Sequence, residues 1–266
     1  MLGAIIGDIV GSPFEFTRHK SKSFDLFSPA SSFTDDTVCL VGVADALLRD
    51  VSVAECLRGW CRRYPHPVGG YGARFREWVF SDTMGPYNSK GNGAAMRVAP
   101  VGHLAKDPSQ AVSLAWHVTA ITHDHPDAMN GAVATAFAIW MARSGAKPQE
   151  IRGKIESDYG FDLSRSVDQI RATYEYSELC LETVPEALVC ALTAIDFEDA
   201  LRNAVSLGGD ADTLAAIAGG VAEPIFGIPK GIEEEALSRL DSDILAVLHR
   251  LGAAIAPNEA DAANGT

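Results

Sequence analysis

The chain is short of basic residues and has no long apolar run. Lys and Arg total 22 against 35 Asp and Glu, a formal net charge of -13 with pI near 4.9. The basic footprint that extended DNA or RNA requires is therefore missing, and any positive pocket must be local. The longest apolar run, GAVATAFAIWMA at 131–142, falls short of the ~20 residues of a membrane span and reads as a core helix. The N-terminal stretch MLGAIIGDIVGSPFEF has no basic leader and no signal cleavage site. Cysteine is sparse: Cys39, Cys56, Cys61, Cys180 and Cys190 are odd in number and lack CxxC spacing. That usage points to reduced thiols in a cytoplasm, with a catalytic Cys–His pair as the alternative. Strand-type alternation is also absent.

Apolar residues instead recur at three and four, which predicts a nearly all-α fold. With 266 residues, 47% of them hydrophobic, the chain can bury a large core, and no linker divides it. One domain is expected over 1–256, with the polar stretch 257–266 a disordered tail. Helices are predicted at 2–12, 36–49, 52–63, 72–80, 108–121, 126–143, 148–156, 164–172, 184–195, 197–205, 213–222, 231–238 and 241–254. Gly3, Gly7 and Gly11 fall at i, i+4, i+8, so the first helix can press its backbone against a neighbour at the centre of the bundle. Residues 12–35 and 81–107 resist helical reading, and loops of that length inside a compact domain tend to be functional.

Two acidic segments stand at helix starts. SLGGDADTLAAIAGG, 206–220, sets Asp210, Asp212 and Thr213 before an Ala/Gly run, and FTDDT, 33–37, sets Thr34, Asp35, Asp36 and Thr37 before apolar residues at helical spacing. Either segment alone is explained by capping, since Asp and Thr accept from the free N–H groups of a first turn. Together they hold four carboxylates and three hydroxyls, more than two caps use, and hard oxygen ligands suit Mg²⁺, Mn²⁺ or Ca²⁺. THDHPDAMNG sets His123 and His125 beside Asp124 and Asp127. A third zinc ligand is not evident there, so capping by Asp124 or Asp127 and a histidine lining a pocket are the competing readings. The glycines Gly69, Gly70, Gly72, Gly91 and Gly93 make either ordinary turns or backbone N–H groups for phosphate oxygens.

GAIIGDIVGSPFE, FTDDT, GYG, YNSKGNGAAMR, the TH of His123 with its following proline, and LGGDADT occur in this order over residues 3 to 213. In this series the chain resembles the ADP-ribosylglycohydrolase family, the relatives of dinitrogenase reductase-activating glycohydrolase. The resemblance implies a compact orthogonal all-α bundle, two Mg²⁺ or Mn²⁺ ions, and hydrolysis at C1 of the distal ribose of ADP-ribose. It implies that Thr34, Asp35 and Asp36 hold one ion and that Asp210, Asp212 and Thr213 hold the other, with Asp212 placed to be shared. Glu15 matches the glutamate that polarises or gates water, so Glu15 and Asp35 are the catalytic candidates. Gly70, Tyr71, Gly72, Ser89, Gly91 and Asn92 match segments that hold the diphosphate and ribose, and His123 matches a pocket histidine.

Lys90 departs from the pattern, standing where relatives commonly carry an aromatic, so that a phosphate contact could replace stacking there. The implied partner is ADP-ribose or an ADP-ribosylated acceptor met by a cytoplasmic monomer, without a membrane or an extended nucleic-acid surface. A dinuclear phosphohydrolase and a silent ADP-ribose binder are the alternatives, and the acceptor linkage stays open.

Overall fold

The computed structural model describes residues 1–256, and the predicted tail lies outside the described residues. In chain order the helices are α1 (Leu2–Gly11), α2 (Asp35–Arg49), α3 (Val53–Arg63), α4 (Ala73–Phe80), α5 (Ala99–Leu104), α6 (Pro108–Ala120) and α7 (Pro126–Arg143). They continue as α8 (Pro148–Tyr159), α9 (Val167–Thr173), α10 (Cys180–Leu192), α11 (Phe197–Val205), α12 (Ala211–Phe226), α13 (Lys230–Leu237) and α14 (Ser242–Ile255). Among the described residues there is no strand, only the isolated bridges Thr34 to Val68 and Gly91 to Leu179. The all-α expectation holds, and no described helix is long and apolar enough to cross a membrane.

The differences from the predicted spans have local causes. The stretch 81–107 contains α5, whose six residues are too few to show helical periodicity and whose Pro100 stands in its first turn, where the missing N–H costs nothing. Helix α10 begins at Cys180 rather than 184, because Pro185 lies inside the helix instead of opening it, and it ends at Leu192 rather than 195. Helix α12 likewise continues through Pro224 to Phe226.

Helices α1 and α12 lie against each other at the centre, and α2, α7, α10 and α11 pack around them. A ten-residue helix is marginal alone, so packing must hold α1. From Gly3 to Gly11 every residue of α1 is buried. The glycine stripe faces the small residues of α12: a Cβ on Gly7 would stand 1.9 Å from the Ala215 carbonyl oxygen, and one on Gly11 would stand 2.5 Å from the Asp212 Cα. No side chain fits between the two backbones. The end of α1 is thereby brought against the start of α12, where the acidic segment begins. All five cysteines are free, with the Cys39 and Cys61 sulfurs 3.9 Å apart.

Candidate active site

At the start of α2 the capping and spare carboxylates separate. Thr34 is the cap: its Oγ1 accepts from the Asp36 N–H at 3.1 Å and donates to Asp8 Oδ1 at 2.8 Å. A hydroxyl has two lone pairs, so Thr34 keeps one in reserve. Asp8, buried on α1, also accepts from the Thr34 N–H at 3.0 Å, the Thr37 N–H at 3.1 Å and the Thr37 hydroxyl at 2.5 Å. One carboxylate thus ties the first turn of α2 to α1. Asp35 and Asp36 have no part in the cap, and the buried Asp36 Oδ2 has no hydrogen-bond partner.

The start of α12 shows the same surplus. Asp210 occupies the cap position, with φ -70° and ψ 82°, yet its side chain caps nothing. Its Oδ2 accepts instead from the Asn92 amide at 2.7 Å, and that amide also donates to Thr183 Oγ1 at 3.2 Å. Asp212 Oδ1 accepts from the Thr213 N–H at 2.9 Å. Asp210, Asp212 and Thr213 are all buried.

Glu15 follows the short 3-10 turn after α1 and completes the group. Glu15, Asp210 and Asp212 each offer an oxygen within 4.8 Å of the others, so these three could hold a metal ion. Opposite, Gly69 at φ +77° lies so close that a Cβ there would stand 2.9 Å from Glu15 Oε2 and 3.3 Å from Asp35 Oδ1. The electrostatics ask for a cation. Burial, then the charges of Asp212, Asp8 and Glu178, push the Glu15 carboxyl up to about 8. Burial also pushes Asp8 and Asp210 to about 6, although their hydrogen bonds act the other way. Asp35, Asp36 and Asp212 are driven well above the usual carboxylate range by burial first and then by the charges of neighbouring carboxylates, Asp8 among them in each case. Like charges this close cannot all ionise unless something positive joins them. The donor set is all oxygen, with unpaired Asp36 Oδ2 among it, and suits a hard divalent ion.

Glu15, Asp35, Asp36, Asp210 and Asp212 line a cavity of about 490 Å³. The rest of its lining includes the Gly69–Gly72 turn, Ser89, Gly91, Tyr87, His123 and Arg97. Gly70, at φ +89°, has nothing within 4 Å of its missing Cβ and opens its backbone to the space. The Ser89 hydroxyl accepts from the Gly91 N–H at 3.1 Å and shapes the second turn. Buried His123 packs against Gly91 and Gly93; its Nδ1 pairs with Thr122 Oγ1 at 2.7 Å, and burial with the nearby Arg97 charge keeps the ring neutral. Arg97 is wholly buried, with Nε and Nη1 lacking partners, while Nη2 donates to Thr122 Oγ1 at 2.6 Å.

Every residue that the resemblance assigns to the site other than Thr34 lines this cavity, and Thr34 is buried next to Asp35 as the cap of α2. Their uses differ from simple contact. Tyr71 is buried and turns its hydroxyl away to the Tyr64 carbonyl at 2.8 Å, and the Asn92 amide is spent on Asp210 and Thr183. Lys90 is outside the lining: its Nζ lies 3.7 Å from Asp127 Oδ2, and the aromatic surface is supplied by Tyr87 and Phe75. His125, not Asp124 or Asp127, caps α7, accepting from the Asp127 N–H at 3.1 Å, while Asp124 accepts from the Asn88 N–H at 2.6 Å. Asp8, Arg97, Tyr176 and Glu178 do not stand out as site residues in the sequence, although Asp8 is buried beside the acidic starts and the other three line the cavity. Asp8 had a usable signal, a single charge inside the apolar run AIIGDIV, where burial requires compensation.

A family model described as ADP-ribosylglycohydrolase matches residues 1–261, and the chain belongs to that family. It is similar to ADP-ribosylhydrolase ARH3 of Homo sapiens, 28% identical over 335 residues that cover 94% of this chain and 92% of the relative. It is also similar to ADP-ribosylarginine hydrolase Tri1 of Pseudomonas putida, 28% identical over 280 residues covering 90% and 74%. A solved structure titled ADP-ribosylglycohydrolase-related protein complex superposes with a TM-score of 0.72 at 25% identity, covering 96% of this chain and 95% of that one.

Proposed function

We propose that the protein is a metal-dependent glycohydrolase that cleaves the bond at C1 of the distal ribose of ADP-ribose and releases an acceptor. The observation that carries this reading is one cavity lined by two unlike sets of groups: crowded carboxylates, and glycine turns with the Arg97 guanidinium, whose Nε and Nη1 are without partners. Sugar and scissile bond suit the carboxylates, and a diphosphate suits the glycine turns and Arg97, whose positive field no carboxylate cancels.

Thr34, Asp35 and Asp36 would hold one Mg²⁺ or Mn²⁺, and Asp210, Asp212 and Thr213 the other, with Asp212 between them. Bound there, the ions supply Lewis-acid polarisation of water and of sugar hydroxyls. The chain's own groups do the rest. Asp8 fixes the first turn of α2, and Asn92 aims Asp210. Glu15, half-buried at the mouth, takes a proton from the attacking water once its neighbours are neutralised and its carboxyl returns toward the ordinary range. As the acceptor leaves, positive charge on the ribose ring is stabilised by the surrounding carboxylates. Gly70, Gly72, Ser89, Gly91 and His123 bound the diphosphate and proximal sugar, with Tyr71 as a wall.

The test is a panel of arginine-, serine- and nucleotide-linked ADP-ribose with Mg²⁺ or Mn²⁺. Free ADP-ribose plus intact acceptor supports the glycohydrolase. AMP or inorganic phosphate indicates the phosphohydrolase instead, and binding without product indicates a silent binder.

A further inference from the structure

The segment 174–179, between α9 and α10, stands between two cavities, and Tyr176 lines both. Phe16, 70% exposed beside Glu15, stacks on Tyr176 with centroids 6.3 Å apart and extends this ledge at the mouth of the first cavity. The second cavity, of about 650 Å³, lies on the far side. Its charge is one-sided: Asp162, Glu175, Glu182 and Glu186 line it, and Arg165 is the one cation among its lining residues. Arg165 is already committed to Glu186 Oε1, while the other oxygen of Glu186, itself 5% exposed, has no partner. Apolar surface accompanies the acids, including Leu181, which is 44% exposed in the first turn of α10.

An acidic pocket with apolar walls matches one kind of group, a cationic head on a methylene stem. We propose that this cavity is a subsite for a basic side chain, arginine or lysine, of the polypeptide that carries the ADP-ribose, engaged while the modified residue lies at the carboxylates of the first cavity. The inference rests on the proposed hydrolase activity. Tyr176 is common to the linings of both cavities, and an extended chain advances about 3.3–3.6 Å per residue. A basic residue a few positions from the modified one therefore reaches the second cavity. A bare metal ion would leave the apolar wall unused, and an anionic polymer is repelled by the acids.

Two ADP-ribosylated peptides of the linkage that the enzyme turns over, identical except for arginine or neutral citrulline three residues from the modification, provide the test. KM should be lower for the arginine peptide by about tenfold, the worth of one charge-assisted hydrogen bond, with kcat little changed. Glu182→Lys, at an exposed position, should abolish the difference while leaving turnover of a single ADP-ribosylated amino acid intact, and Glu182→Gln should reduce it. Equal KM values in the wild-type protein overturn the subsite and leave the hydrolase reading standing. If no linkage in the panel is turned over, the hydrolase reading fails, and the subsite is decided by fluorescence anisotropy with the unmodified peptides. Tighter binding of the arginine peptide that Glu182→Lys removes supports it, and equal binding overturns it.

Discussion

The side-chain amide of Asn92 donates to Asp210 Oδ2 at 2.7 Å, across 118 positions of chain. A carboxylate that caps no helix is thus held in orientation by a residue from the opposite glycine turn. Asn92→Ala should weaken activation by Mg²⁺ or Mn²⁺ by about 10- to 100-fold, the usual cost of losing a group that orients a ligand. Asn92→Asp should be worse, since it puts a second negative charge against Asp210. Metal titrations of activity read both, and an Asn92→Asp variant as active as the alanine variant contradicts the assignment.

Asp35→Asn and Asp212→Asn should preserve helical content and reduce turnover by at least about 100-fold, because ligands matter more than the groups that orient them. The same substitutions should raise the melting temperature in chelator, since each removes one charge from a mutually repelling, buried group. Circular dichroism, turnover and thermal melts on one preparation separate the two effects. Lower melting temperatures for both variants in chelator would falsify the repulsion argument.

The raised Glu15 carboxyl sets a direction with pH. Its ordinary value is 4.5 and its value in the folded chain is about 8, so between these the folded chain holds a proton that the unfolded chain has lost. Stability in chelator should therefore be full at the low end of that window and fall as pH rises through it. Asp8 and Asp210, raised to about 6, add to the fall in its lower half. Saturating Mg²⁺ or Mn²⁺ should flatten the slope, and thermal melts across the window with and without metal measure it. A chelated protein whose stability rises with pH would rule the assignment out.

Gly7 and Gly59 make a matched pair of helical glycines. A Cβ on Gly7 meets the Ala215 carbonyl oxygen at 1.9 Å, whereas one on Gly59 in α3 meets nothing within 4 Å. Gly7→Ala should destabilise by about 3 kcal/mol, at the upper end of overpacking costs. Gly59→Ala should stabilise by about 0.5–1 kcal/mol through helix propensity. Denaturant unfolding of the two variants checks the contrast.

The glycine stripe of α1 and the acidic starts of α2 and α12 were legible in sequence because each is a local pattern with a physical meaning. A spacing of four puts glycines on one helix face, and surplus carboxylates at a cap have no local use. What each acid does was not legible, because it depends on partners far along the chain. Thr34 caps and Asp210 does not, although both stand at cap positions, and the difference comes from Asp8 and Asn92. Arg97 was hidden because MRVAP reads as a loop, and only the fold shows a buried guanidinium without a carboxylate. Tyr176 and Glu178 lie in an aperiodic segment, where sequence pattern has nothing to register.

The bare contact between α1 and α12 bears on how the enzyme would fail under heat. Side chains at most helix crossings have alternative rotamers through which a joint can soften by degrees. At Gly7 and Ala215 backbone meets backbone, and no such intermediate settings exist. The carboxylates at the two helix ends should keep their spacing until the helices part altogether. Warming would then leave the active fraction of molecules unaltered in character and merely fewer in number.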